Sequence, residues 1–186
     1  MKNLTGILAI LTMIFIGLAC SSDDTTKANE VVHDANKFVA TANESVVKAS
    51  TKYDEYEGKV DAIKNDKDLE NVRALAKELL PLYDSMSENF TKAGAKFDEA
   101  SKLKIKEKHK EYLETKAKEM KLRGEYSAEL KKIPQALIDS SGEKAYRDAV
   151  SSIAEKVNKM TTEAKDLGEK ATKIQTDNPD IMEQPK

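Results

Sequence analysis

From residue 25 onward the apolar side chains recur at alternating intervals of four and three residues, and this spacing is what most constrains the fold. The first run is Ala28, Val32, Ala35, Val39, Ala42, Val46, Ala49, Tyr53, Tyr56, Val60 and Ile63. A second passes through Leu69, Val72, Ala76, Leu79, Tyr83, Met86, Phe90, Ala93, Phe97 and Ala100, and a last through Tyr146, Val150, Ile153, Val157, Met160, Ala164, Leu167, Ala171 and Ile174. A strand alternates every second residue, so these runs cannot be strands; they are one face of a helix. A mean repeat of about 3.5 residues, below the 3.6 of a straight helix, keeps that face turned toward a partner and specifies left-handed, coiled-coil-like packing.

A third run is thinner: Leu113, Ala117, Met120, Gly124 and Ser127, then Leu130 and Ile133. Its small and polar members predict a less tightly packed helix. Small Ala and Val at most seam positions of the first run permit close helix approach. Turns are legible at Asn65-Asp66-Lys67-Asp68, which offers capping oxygens before Leu69, and at Ser140-Ser141-Gly142-Glu143, which has the Ser-x-x-Glu form of a capping box. Between the second and third runs no Gly or Pro interrupts the chain. A turn near residues 101–105 makes four segments of similar length; the alternative is one helix from about residue 67 to 137 with the outer helices along its two halves. Pro81 predicts a kink near Leu79 and Leu80, and Pro134 a bend or an end to the third helix. The expected fold is all-α, an elongated up-down four-helix bundle over residues 28–175, followed by a flexible tail at 176–186.

Composition narrows the functions open to such a rod. The 186 residues carry 31 Lys and Arg against 33 Asp and Glu, a net charge of −2, so no overall field exists to hold nucleic acid. One Cys excludes an internal disulfide framework or a multi-Cys metal knuckle. Bundles can hold di-iron sites, yet Glu30 and His33 form a single Glu-x-x-His and fall off the seam. His109, the other histidine, flanks a Lys-rich stretch; in an up-down topology both histidines lie near one end, where a surface metal contact is the most they offer. No haem-attachment motif, phosphate loop or hydrolytic triad is present, and no catalytic residue, cofactor or metal site is expected: the chain does not read as an enzyme. Charge is uneven, however. Residues 102–132 hold eleven Lys and Arg against six Glu. Lys102, Lys104, Lys106, Lys108 and Lys110 are the candidate contact for an anionic surface: lipid headgroups, cell-wall polymer or an acidic envelope protein.

The first twenty residues differ in kind from the rest. Lys2 supplies a positive start, residues 4–18 are almost unbroken apolar sequence, and Ala19 and Cys20 close the run before Ser21, Ser22, Asp23 and Asp24. The run is short for a membrane span and reads as a cleaved signal peptide, residues 1–19. Gly17-Leu18-Ala19-Cys20, in that setting, resembles the lipobox of bacterial lipoproteins, with Gly17 standing where the family usually carries Leu. The resemblance implies cleavage before Cys20 and acylation of that residue, palmitate included, with residues 20–27 as lipidated Cys and linker. Ser21, in place of the Asp that retains such proteins at the inner membrane, implies the outer membrane if the host is diderm. An uncleaved anchor or an ordinary secretory signal with a free thiol are the alternatives, and either leaves the remaining chain outside the cytoplasm. Cys20-Ser21-Ser22, the heptads and a terminal Lys186 are also similar to the murein lipoprotein, whose final Lys is joined to peptidoglycan. That likeness implies a wall tether through Lys186, although this chain is longer, has turns and prolines, and carries Gln184-Pro185 before its last residue. Together these features describe a membrane-anchored envelope lipoprotein acting as a structural or interaction module. The alternative is a small-ligand or metal carrier using the bundle interior, opened at Pro81 and the stretch from Gly124 to Ser127.

Overall fold

The computed structural model describes residues 24–63, 66–140 and 143–181. It is an all-α, up-down four-helix bundle. Helix α1 runs Thr25–Val60, α2 Asp66–Ser101, α3 Glu107–Asp139 and α4 Glu143–Asp177. At about 1.5 Å per residue each helix is about 50 Å long, and that length sets the long dimension of the molecule. The chain turns between α2 and α3 just after Ser101, so the second and third runs are two helices rather than one.

Packing follows chain order: α1 lies on α2, α2 on α3 and α3 on α4. The contacts between α1 and α2 keep heptad register. Lys92 stands over the Phe38 ring, Ser45 and Ser85 share a hydrogen bond of 2.8 Å, and Lys52 pairs with Glu78. Each step of seven residues up α1 is matched by seven down α2, as a 3.5-residue seam requires. The same step recurs between α2 and α3, where Arg123 lies over Phe90 and Lys116 over Phe97.

The edge helices split their stripes. In the middle of α1, Ala35, Ala42 and Ala49 are buried whereas Val39, Val46 and Tyr53 are half-buried; toward the helix ends Val32 and Val60, in line with those three, are buried as well. In α4, Val157, Ala164 and Ala171 are buried, whereas Val150, Ile153 and Met160 are half-buried. An edge helix has one neighbour along its length, so one half of a two-position seam is covered more fully than the other. The edges do meet at one end, where the Tyr56 hydroxyl donates to that of Tyr146 at 2.8 Å.

The expectation of a loosely packed third helix is overturned. A Cβ added to Gly124 would lie 2.5 Å from Thr91 Oγ1 and 3.0 Å from the Ser87 carbonyl oxygen, so α2 and α3 approach closely there. Gly94 meets α3 in the same way, its absent Cβ falling 2.8 Å from Lys121 Cγ. The stripe is thin because small residues let the backbones close up. Between α2 and α4 the helix also buries polar residues, among them Thr115, Glu119, Tyr126 and Ser127, alongside Leu113 and Ile133.

Local signals were partly displaced by tertiary demands. Pro134 does not end α3, which continues to Asp139, and α2 runs through the exposed Pro81, where a carbonyl freed of its helical partner can bind water. Ser140 does not cap α4. Its hydroxyl donates to the Leu137 carbonyl, and Arg73 from α2 donates to the Ser140 carbonyl at 2.9 Å, so this serine closes α3. Beyond α4 the chain makes a turn at Asn178, fixed by its side-chain amide on the Ile174 carbonyl at 2.8 Å, and returns Ile181 to the protein at 2% exposure. The first part of the expected tail is thus docked; residues 182–186 lie outside the described set.

Candidate functional site

The up-down topology gathers the start of α1, the α2–α3 turn, the start of α3 and the end of α4 at one end of the rod. Asp24 anchors this end. Its backbone N–H donates to the Lys104 carbonyl at 2.7 Å, and its carboxylate accepts from the Lys104 backbone N–H at 3.0 Å. Asp24 therefore spends its side chain on the neighbouring turn rather than on capping α1, although its position before the first helical residue suits a cap. The consequence is positional: the point where the preceding chain joins the bundle is bound to the centre of the Lys-rich segment.

The five lysines singled out in the sequence are gathered here but are not a bare cationic patch. Lys102 donates to Asp98 at 2.7 Å, Lys106 to Asp180 at 3.2 Å, and Lys108 to Glu111 at 2.8 Å. The hydrogen bond from Lys102 holds the Asp98 carboxyl below the usual carboxylate range, and that from Lys108 does the same to Glu111. These pairs are solvent-exposed and screened, so each adds little to stability and can be exchanged for another anion at small cost. Lys104 and Lys110 have no carboxylate partner among the described residues. The Lys106 contact has a second role, since it ties the turn after α4 to the start of α3.

The two histidines share this end yet differ in setting. His33 is exposed on α1, whereas His109 is fully buried in the first turn of α3, so the surface metal contact imagined for the pair has only one surface member. Among the described residues no group of three or more His, Cys, Asp or Glu side chains is placed to hold a metal ion, and no helix is long and apolar enough to cross a membrane. Cys20, the leader and Lys186 lie outside the described residues.

One charged constellation escaped the sequence reading. Glu119 is 2% exposed and accepts hydrogen bonds from Lys116 at 2.7 Å and Arg123 at 2.8 Å, one turn to either side on α3. The Lys116 ammonium and Arg123 guanidinium in turn lie 6.0 and 5.9 Å from the centroids of the Phe97 and Phe90 rings. Gly168 of α4 makes room for the carboxylate: a Cβ there would come within 3.2 Å of Glu119 Oε1. Such a set fixes the register of three helices, because a buried carboxylate moved from its cations carries a penalty of several kcal/mol. Lys-x-x-Glu-x-x-x-Arg reads in sequence as a solvated helix face. Only the lone Gly in the opposite helix hints that something bulky faces it.

The chain matches no protein-family model, no curated protein and no solved structure.

Proposed function

We propose that this protein is a lipid-anchored component of a bacterial envelope, and that its helical rod is a structural or interaction module held at a membrane, not a catalyst. The observation that carries the reading is the double hydrogen bond between Asp24 and Lys104. Asp24 follows Cys20 by four residues, so an acylated Cys20 would be tethered within a short reach of Lys102–Lys110. Acyl chains contribute about 0.8 kcal/mol per buried methylene, and two or more on one residue make a stable anchor. Lysines held at an anionic bilayer add about 1 kcal/mol each, so Lys104 and Lys110, which have no carboxylate partner among the described residues, are the first to engage headgroups. The opposite end, about 50 Å away, would then be presented to the envelope interior, to cell-wall polymer or to another envelope protein. Ser21 after Cys20 favours the outer membrane in a diderm host.

Metabolic labelling with a clickable palmitate is the decisive experiment. Label should enter the wild-type chain and be lost, together with membrane sedimentation, in Cys20→Ala. An unlabelled wild-type protein overturns the reading. For the lysines, the acyl-free domain should bind vesicles containing anionic lipid and lose that binding with Lys102, Lys104, Lys106 and Lys108 changed to Glu; unchanged binding removes the headgroup contact.

A further inference from the structure

At the end of the rod opposite Asp24, the last turns of α1 and the first turns of α4 leave between them a half-open groove of about 290 Å³. Its lining is unusual for a chain with 5% aromatic residues, because three of the six tyrosines are here: Tyr53, Tyr56 and Tyr146. Tyr53 and Tyr56 have ring centroids 5.7 Å apart with planes inclined at 40°, so the two rings form an angled wall rather than a stack. Val60 and Val150 complete the apolar surface, and Glu57, Asp61 and Arg147 supply the charge. Two carboxylates against one guanidinium leave the groove with one net negative charge. Asp61 is only loosely engaged, since the Arg147 nitrogen lies 4.0 Å from it and both side chains are more than half exposed.

The tyrosine hydroxyls add a directional feature. Tyr56 and Tyr146 share one hydrogen bond of 2.8 Å, and two hydroxyls sharing one bond have a proton left over. Both residues are more than nine-tenths buried, at 1% and 6% exposure, and among the described residues no acceptor is set for that second proton. Burial raises the Tyr146 hydroxyl above its ordinary value, with the nearby Glu57 and Asp61 acting in the same direction, so the proton stays in place at neutral pH. The groove thus combines π faces, which attract cations, with excess negative charge and one hydrogen-bond donor.

We propose that this groove binds a small organic ammonium compound, its alkylated cation against the half-buried Tyr53 ring and near Glu57 and Asp61, and a polar oxygen accepting from the Tyr56–Tyr146 pair. An anion is disfavoured by both the rings and the carboxylates. A purely apolar ligand would leave the spare hydroxyl proton and the carboxylates without use. The site is independent of the anchor, being at the far end of the rod, on the opposite termini of α1 and α4.

The test uses the whole protein in a choline-free detergent, with choline as the probe and its uncharged carbon isostere, 3,3-dimethylbutan-1-ol, as the control. The chain has no Trp and three of its six tyrosines line the groove, so tyrosine fluorescence reports on it against the constant signal of Tyr83, Tyr112 and Tyr126. Choline should give a saturable change in the millimolar range and the isostere should not. Glu57→Gln with Asp61→Asn should weaken choline by about tenfold, and Arg147→Gln should tighten it by about threefold. Tyr56→Phe with Tyr146→Phe, which keeps both rings and removes both hydroxyl protons, should weaken choline but leave tetramethylammonium, which has no oxygen, unchanged. Equal binding of choline and the isostere, no saturable signal from choline, or weaker choline binding in Arg147→Gln would each overturn the proposal. Helical circular dichroism of each variant separates a lost site from a lost fold.

Discussion

The α2–α3 seam and the α4 edge answer the same heptad spacing with different side chains. Along α2–α3, large rings alternate with glycines: Phe90 and Phe97 are 1% exposed, and Gly94 and Gly124 bring backbone against side chain. Along α4 the stripe is a simple apolar series, the clearest amphipathic pattern in the chain, yet Ile153 and Met160 stay half-buried. A clean stripe does not reveal coverage, since α4 is covered on one side and α2, equally regular, on two. The blurred pattern of α3 marks a helix that accommodates glycine and polar residues inside.

The largest test of this contrast is truncation at matched seam positions. Phe90→Ala should lower the unfolding free energy by about 3–5 kcal/mol, since it removes a fully buried ring and the surface beneath Arg123. Met160→Ala should cost about 1 kcal/mol, in proportion to its partial burial. Urea denaturation of the two variants measures both. Equal losses would mean that α4 is buried as deeply as the centre.

Glycine offers a test in which the sign differs. Gly124→Ala should destabilise by about 1–2 kcal/mol, because overpacking against Ser87 and Thr91 outweighs the gain in helix propensity. Gly58→Ala, near the end of α1 with nothing within 4 Å of the added carbon, should stabilise by about 0.5–1 kcal/mol. Thermal unfolding midpoints should therefore move in opposite directions.

Alkali should act on centre and edge together. Burial pushes the Tyr112 hydroxyl of α3 up to about 12 and raises those of Tyr83 on α2 and Tyr56 on α1 further still. A raised folded value means that stability is fully present below the ordinary tyrosine range near pH 10 and is lost as pH climbs through the folded values. Phenolate absorbance from these residues should accordingly appear with the loss of helical signal, and not before it.

The smallest effect concerns Glu129, which accepts from Lys132 at 2.8 Å and from Lys156 of α4 at 2.7 Å. Those hydrogen bonds hold its carboxyl below the usual range. Its contribution is present above the ordinary Glu value near pH 4.5 and disappears as pH falls through the lowered folded value. Glu129→Gln should flatten the decline in stability over that acid range while leaving helix content unchanged at pH 7.

Legibility varied with the range of the interaction involved. The helices and their seams follow from spacing, a property a local window contains, whereas the turn after Ser101 has no Gly or Pro to mark it and stood beside the alternative of one continuous helix. Ser140 shows the limit: its Ser-x-x-Glu form suited a cap on α4, but Leu137 and Arg73 claim its hydroxyl and carbonyl for the end of α3. Ile181 is another case, because nothing in Asn178-Pro179-Asp180-Ile181 announces that the Lys106 ammonium and the Asn178 amide fold the segment back. The Lys run was visible as composition, but its pairing with Asp98, Asp180 and Glu111 depends partly on helices meeting across the bundle.

The sequence by itself determined that this chain is all-α with coiled-coil seams, because apolar periodicity is written residue by residue and each helix needs only its own spacing to form; whether the second and third runs were one helix or two it left open. Tertiary structure alone decided which helices were central, that Glu119 would lie buried between Lys116 and Arg123 opposite Gly168, and that Tyr56 and Tyr146 would share a hydrogen bond across 90 residues of chain. The physical reason is that solvation depends on neighbours. The same Lys-x-x-Glu spacing is a wet surface pair on one helix and a dry, register-fixing cluster on another, and only the packing of a second and third helix distinguishes them.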